Sequence, residues 1–212
     1  MCGRYALFRW TPAFAALPGF PADQQAQWNI SPADQVLIVR ASTSSEDGVV
    51  EREVARARWG LTPPWLTDMS RTPAHARAET VAEQPMFREA LRQRRCLLPA
   101  NGFYEWRGTV RKRPFWLTPG EGSALYFAAI WEAYPVHGHT YLSVAVVTQA
   151  AASQRRPLIL DADAQAVWLD ADSSMTALQS LLASPQAPLR ERPLANLVND
   201  PKLNAPECLT PL

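Results

Sequence analysis

Met1-Cys2-Gly3-Arg4-Tyr5-Ala6-Leu7-Phe8-Arg9-Trp10 places a short apolar segment directly behind a cysteine, and both parts carry information. Tyr5, Ala6, Leu7, Phe8 and Trp10 form the kind of run that pairs into a sheet, which would order a chain end that otherwise frays. Removal of Met1, usual when a small residue follows, would leave Cys2 with a free amine and a thiol on adjacent carbons. Their ordinary pKa values, ~7.7–8.0 and ~8.5, leave a usable nucleophilic fraction of each at neutral pH. Such a pair condenses with an aldehyde: the nitrogen forms an imine, the sulfur captures it, and a five-membered thiazolidine closes. Gly3 leaves the approach uncrowded, and Arg4 sets a permanent cation beside it. A cysteine at position two is by itself weak evidence, and a functionless, fraying terminus is the commoner case, so the reading depends on what the rest of the chain supplies.

The chain of 212 residues suits one domain, or at most two small ones, and is long enough for a sizeable core. Its net charge is only +1, but residues 1–116 hold 16 Lys and Arg against 11 Asp and Glu, whereas residues 117–212 hold 5 against 9. A basic half can present a phosphate-binding surface under a nearly neutral total. Cys2, Cys96 and Cys208 lie far apart and in no metal-ligand spacing, which points to a reducing compartment and away from a disulfide scaffold or a zinc site. No metal or cofactor is expected. Neither a signal peptide nor an apolar run approaching the ~20 residues of a membrane span is visible, so the expectation is a soluble, cytoplasmic protein with no membrane partner.

Further along, Thr11-Pro12 starts a short helix through Phe14 and Leu17, closed by Pro18-Gly19. Gln35 to Arg40 reads as a buried strand, Ala41 to Gly48 as a polar hairpin loop, and Val49 to Trp59 as a strand with neither face cleanly apolar. Trp59-Gly60-Leu61-Thr62-Pro63-Pro64-Trp65 is either a stiff platform for a flat ligand such as a base or a Trp pair that caps the core. In extended geometry His75, Arg77 and Glu79 share one face. Gln84 to Arg95 predicts an amphipathic helix with Arg88, Arg92, Arg94 and Arg95 on a basic outer face, and Cys96 beyond it belongs to the core. After the Asn101-Gly102 turn, a strand places Glu105 between Tyr104 and Trp106. Its carboxyl is then either lifted in pKa by desolvation, which suits proton transfer near neutral pH, or paired with one of the arginines. Strands at 124–131 and 141–148 flank a loop carrying the solvated His137 and His139. Asp161 caps a helix through Leu169, and Ser173-Ser174 begins another through Leu182.

Seven motifs in order, Met-Cys-Gly-Arg-Tyr, Trp-Asn-Ile-Ser-Pro at 28–32, the 59–65 loop, Ala-Arg-Ala-Glu-Thr at 76–80, Asn-Gly-Phe-Tyr-Glu-Trp at 101–106, Arg-Arg-Pro-Leu-Ile-Leu at 155–160 and Leu-Val-Asn at 197–199, resemble the SOS response-associated peptidase family. Its members are also called abasic-site processing proteins. The resemblance implies one α+β domain over residues 1–212, with a curved, barrel-like, mainly antiparallel β core, short flanking helices and a Pro-rich tail from about residue 184. It implies a basic groove for single-stranded DNA carrying abasic sites, and a Cys2 that traps the abasic aldehyde as a thiazolidine crosslink once Met1 is gone. It also brings the family's peptidase or hydrolase class, with self-cleavage or crosslink reversal as further activities. A monomer is expected, nucleoid-associated when bound to DNA.

By the same resemblance Glu105 is the acid–base residue, Arg4, Arg77 and Arg155 hold phosphates, and Trp65 and Trp106 shape the groove. Two positions depart from the family pattern: His75 stands where the family usually has Asn, and Ser153 where it usually has His. Either His75 supplies the imidazole missing at 153 and joins Cys2 and Glu105 as a catalytic group, or the chain is a paralogue that binds single strands without the chemistry.

Overall fold

The computed structural model of the chain describes residues 2–42, 51–119, 123–151 and 154–212. In chain order it begins with β1 (Arg4–Leu7), α1 (Pro12–Ala15), β2 (Gln27–Ile30), β3 (Gln35–Ala41), β4 (Arg52–Trp59) and β5 (His75–Arg77). There follow α2 (Arg88–Gln93), β6 (Arg95–Ala100), β7 (Gly102–Arg107), β8 (Arg113–Thr118), β9 (Leu125–Val136) and β10 (His139–Ala150). The chain ends with β11 (Arg155–Pro157), α3 (Ala162–Leu169), α4 (Met175–Leu182) and β12 (Arg190–Pro193), then 3-10 turns at Asn196–Asn199 and Pro206–Leu209. The expected hairpin loop at 41–48 falls largely outside the described residues.

Five strands close on themselves. β10 pairs with β9 and β4, β4 with β3, β3 with β6, and β6 with β9; only the β4–β10 contact in this ring is parallel. Val36 to Val39 are all buried because β3 lies inside the ring, between β4 and β6, which is why its sequence is a continuous apolar run rather than an alternation. A second, antiparallel sheet in the order β12-β8-β7-β1-β2 lays one face on this barrel through Tyr5 and Phe103, whose rings meet Phe127 of β9 edge-on. Gly102 permits that sheet to pack: a Cβ there would meet the Trp116 ring at 2.4 Å. The architecture is the α+β, barrel-centred domain expected, with helices short and peripheral. No helix among the described residues is long and apolar enough to cross a membrane.

Caps fall where local chemistry puts them, with Thr11, Asp161 and Ser174 accepting from the backbone N–H three residues on. Two expectations need correction. Strands β9 and β10 run almost to meet each other, and the loop between them shrinks to His137-Gly138, both at positive φ, the backbone a two-residue hairpin turn demands. The predicted helix over 84–95 is regular only at Arg88–Gln93, and Arg95 points inward instead of outward. Its guanidinium donates to the carbonyls of Leu91 (2.8 Å), Arg92 (2.6 Å), Trp168 (2.7 Å) and Asp170 (2.5 Å), gathering the open C-terminal ends of α2 and α3. The segment after residue 184 adds β12 to the second sheet and packs Leu194, Val198 and Cys208 against the outer face of that sheet.

Candidate active site around Cys2

β10 outruns its barrel partners. Past Val146 its edges are taken by β5 on one side, with Val146 opposite His75 and Thr148 opposite Arg77, and by β11 on the other, with Gln149 opposite Arg156. The start of β1 and strand β7 close over this end, and Cys2 lies there, 3% exposed. His75 Nε2 is 2.6 Å from the Cys2 carbonyl oxygen, and its ring stands edge-on to the buried Trp59. Burial holds the His75 imidazole below its ordinary range, with the Cys2 carbonyl pulling the other way. Burial likewise pushes the Cys2 thiol up to about 12, and the nearby Glu105 charge adds to the rise. At rest the sulfur is a neutral thiol.

Glu105 is 4% exposed. Alternation along β7 turns Tyr104 and Trp106 to the outer face, where Tyr104 meets Trp116, and leaves Glu105 on the barrel side with Phe103. The flanking aromatics therefore do not enclose the carboxylate. Of the two readings open in the sequence, the structure gives the paired one: Glu105 Oε1 accepts from Arg107 Nε at 2.5 Å and Oε2 from Arg156 Nε at 2.9 Å. Burial alone would raise this carboxyl; the Arg156 and Arg107 guanidiniums outweigh it and hold it below the usual range. Both arginines also bind Glu191 of β12, Arg107 at 2.7 and 2.9 Å and Arg156 at 2.9 Å, and Glu191 is lowered to about 2, chiefly by Arg107.

Arg4 donates to Asn29 Oδ1 and to the Val198 carbonyl, both at 2.8 Å, with its guanidinium over the Trp106 ring. Trp106 Nε1 donates to Asn199 Oδ1 at 2.7 Å, and Asn29 Nδ2 reaches the carbonyls of Asp200 and Leu203. The 28–32 and 197–199 motifs are thus a clamp on Arg4 and Trp106. Arg155 is held by Glu79 at 2.6 Å and by Thr148, whereas Arg77 is exposed and joins no salt bridge among the described residues. The 59–65 loop divides: Trp59 is core, while Trp65 is 58% exposed beside a separate cleft lined by Pro85, Met86, Glu89, Arg94 and Glu132. Cys2, His75, Glu105, Arg4, Trp106 and Arg155 gather around the end of β10 and the start of β1; Trp65 does not share their contacts. Ser153 lies outside the described residues. Among those residues no group of three or more His, Cys, Asp or Glu could hold a metal ion.

Sequence reasoning missed Arg107, Arg156, Glu191, Asn29 and Asn199. The two asparagines and Arg156 stand inside quoted motifs, so the signal for them was present. Glu191 has none, because only the folded chain sets β12, paired with β8 in one sheet, within reach of Arg156 on β11 in the other.

The model of the family described as "SOS response associated peptidase (SRAP)" matches residues 1–201. "Abasic site processing protein YoaM" of Bacillus subtilis is 32% identical over 230 residues, covering 99% of this chain and 97% of that protein. "Abasic site processing protein HMCES" of Xenopus tropicalis is 29% identical over 221 residues, 87% of this chain and 66% of that protein. A crystal structure of a protein from Bacteroides thetaiotaomicron superposes over 100% of both chains with a TM-score of 0.82 at 21% identity, which is a likeness of fold.

Proposed function

Since the chain belongs to the SOS response associated peptidase family, we propose that it processes abasic sites in single-stranded DNA by trapping them covalently on Cys2. The observation that carries this reading is the packing of Cys2 at the barrel end, its carbonyl held by His75 and its thiol within reach of the Glu105 charge. With Met1 removed, the Cys2 amine adds to the aldehyde of the ring-opened sugar, and the carbinolamine loses water to give an imine. The thiol sulfur then adds to the imine carbon while its proton ends on nitrogen. One water leaves and nothing is oxidised or reduced. Because burial keeps the thiol neutral, the amine leads and the sulfur follows, and Glu105 is the base that relays the proton. Arg4, Arg77 and Arg155 hold phosphates, Trp106 shapes the groove, and the exposed Trp65, beside its separate cleft, offers the strand a second stacking surface. Crosslink reversal or self-cleavage would use the same groups.

Intact mass after incubation with an abasic single strand tests the reading. Wild type should gain the oligonucleotide mass less one water and Cys2→Ala should gain nothing. A second reading, binding without chemistry, draws on the buried, neutral thiol. It is upheld if protein lacking Met1 binds the strand in a salt-sensitive way, forms no adduct and is indifferent to Cys2→Ala.

A further inference from the structure

Glu105, Arg107, Glu191 and Arg156 form a closed ring of alternating charge that runs from the interior to solvent. The side chain of Glu105 at the inner end is 5% exposed and that of Glu191 at the outer end 37%, with the arginines between at 27% and 20%. The Nε of each guanidinium faces Glu105, and the terminal nitrogens of each reach Glu191. Arg156 keeps one of those nitrogens 3.4 Å from Glu105 as well, so it is poised to give the inner carboxylate a second bond. Phe115 stands opposite Glu105 on β8, and the Glu105 charge acts on the Cys2 thiol.

Two carboxylates and two guanidiniums make the ring neutral. Without the outer carboxylate, two cations would face Glu105 alone, with their freed donors turned toward it. We propose that Glu191 is a positioning residue for the acid–base carboxylate: by occupying the outer nitrogens of Arg107 and Arg156 it keeps Glu105 oriented yet able to accept a proton. This rests on the reading of Glu105 as the proton relay.

The test follows the Glu105 carboxyl by carbon NMR titration, together with the rate of adduct formation at pH 7, in full-length protein. Glu191→Gln should lower the Glu105 midpoint by ~0.5–1 pH unit, because a like charge has gone from its surroundings. The weaker base should slow the adduct several-fold. Arg156→Met should move the midpoint up, and Glu191→Gln combined with Arg156→Met, neutral again, should restore both readouts toward wild type. Loss of packing alone would give no such rescue. A midpoint unmoved in Glu191→Gln, or a double variant no better than the single, overturns the proposal. If Glu105→Gln crosslinks at the wild-type rate, the relay reading itself fails, even where the midpoint shifts are as expected, so the two failures are told apart.

Discussion

His75 Nε2 lies 2.6 Å from the carbonyl oxygen of Cys2, and since that oxygen can only accept, Nε2 carries the hydrogen. In the neutral ring Nδ1 is then left as an acceptor. One side chain therefore fixes the start of β1 against β5 and keeps its second ring nitrogen as a hydrogen-bond acceptor. His75→Ala should slow adduct formation by about tenfold or more, in line with loss of a positioned acid–base group. The check is a quenched time course on an abasic oligonucleotide. An unchanged rate removes His75 from the mechanism.

The same ring makes stability depend on pH. Burial holds His75 below its ordinary 6.5, so on acidification the unfolded chain takes up a proton before the folded chain does. Stability from this group is full above pH 6.5 and is lost as pH falls toward the lowered folded value. His137 and His139 are exposed. Urea midpoints should fall between pH 7.5 and 5.5, a range roughly above the carboxylate titrations. His75→Gln should flatten that fall; an equal slope in both proteins would assign the effect elsewhere.

Cys2 is buried and its thiol is raised to about 12, while Cys96 and Cys208 are fully buried. Alkylation requires an accessible thiolate. Native protein treated with iodoacetamide near pH 7.5 should therefore label much more slowly than a free-cysteine control, and denatured protein should take three labels. Rapid labelling confined to Cys2 in the native state would contradict the buried position.

Arg95 donates to four carbonyls at the ends of α2 and α3. Arg95→Met leaves buried acceptors unpaired, at a cost of about 3 kcal/mol or more. That corresponds to a fall in Tm of roughly 6–12 °C for a chain of this size. Scanning calorimetry measures it. A fall under 2 °C, on the order of half a kcal/mol, would mean that water replaces the guanidinium.

Arg95 also shows where sequence legibility ends. Periodicity placed it on a helix face, but periodicity describes repetition within one element, and Arg95 is the first residue of β6, held by carbonyls from two helices. The apolar runs of β3 and β10 and the caps Thr11, Asp161 and Ser174 were readable because burial pattern and capping are local. Glu105 was readable as a chemical group but not in its charge environment, since Arg156 is 51 residues away and Glu191 is further still. The Trp59 and Trp65 pair could not be divided from spacing alone, because nothing in the loop says which aromatic meets Tyr5 and His75.

Arg77 and Arg155 flank Thr148 from opposite edges of β10, yet they differ in what they offer a phosphate. Arg77 is exposed and without a salt bridge among the described residues, whereas Arg155 is already bonded to Glu79, whose carboxyl that bond lowers. If both hold phosphates, Arg77→Ala should weaken binding to an undamaged single strand and reduce the slope of log affinity against log salt by about 0.7. Glu79→Gln should act in the opposite direction: it removes the competing anion and leaves Arg155 anchored on Thr148, so affinity rises and the slope steepens by up to about 0.7. Fluorescence anisotropy from roughly 50 to 200 mM salt resolves slopes of this size. If Glu79→Gln leaves the slope where it was while Arg77→Ala lowers it, Arg155 serves the fold at β11 and the phosphate contact belongs to Arg77.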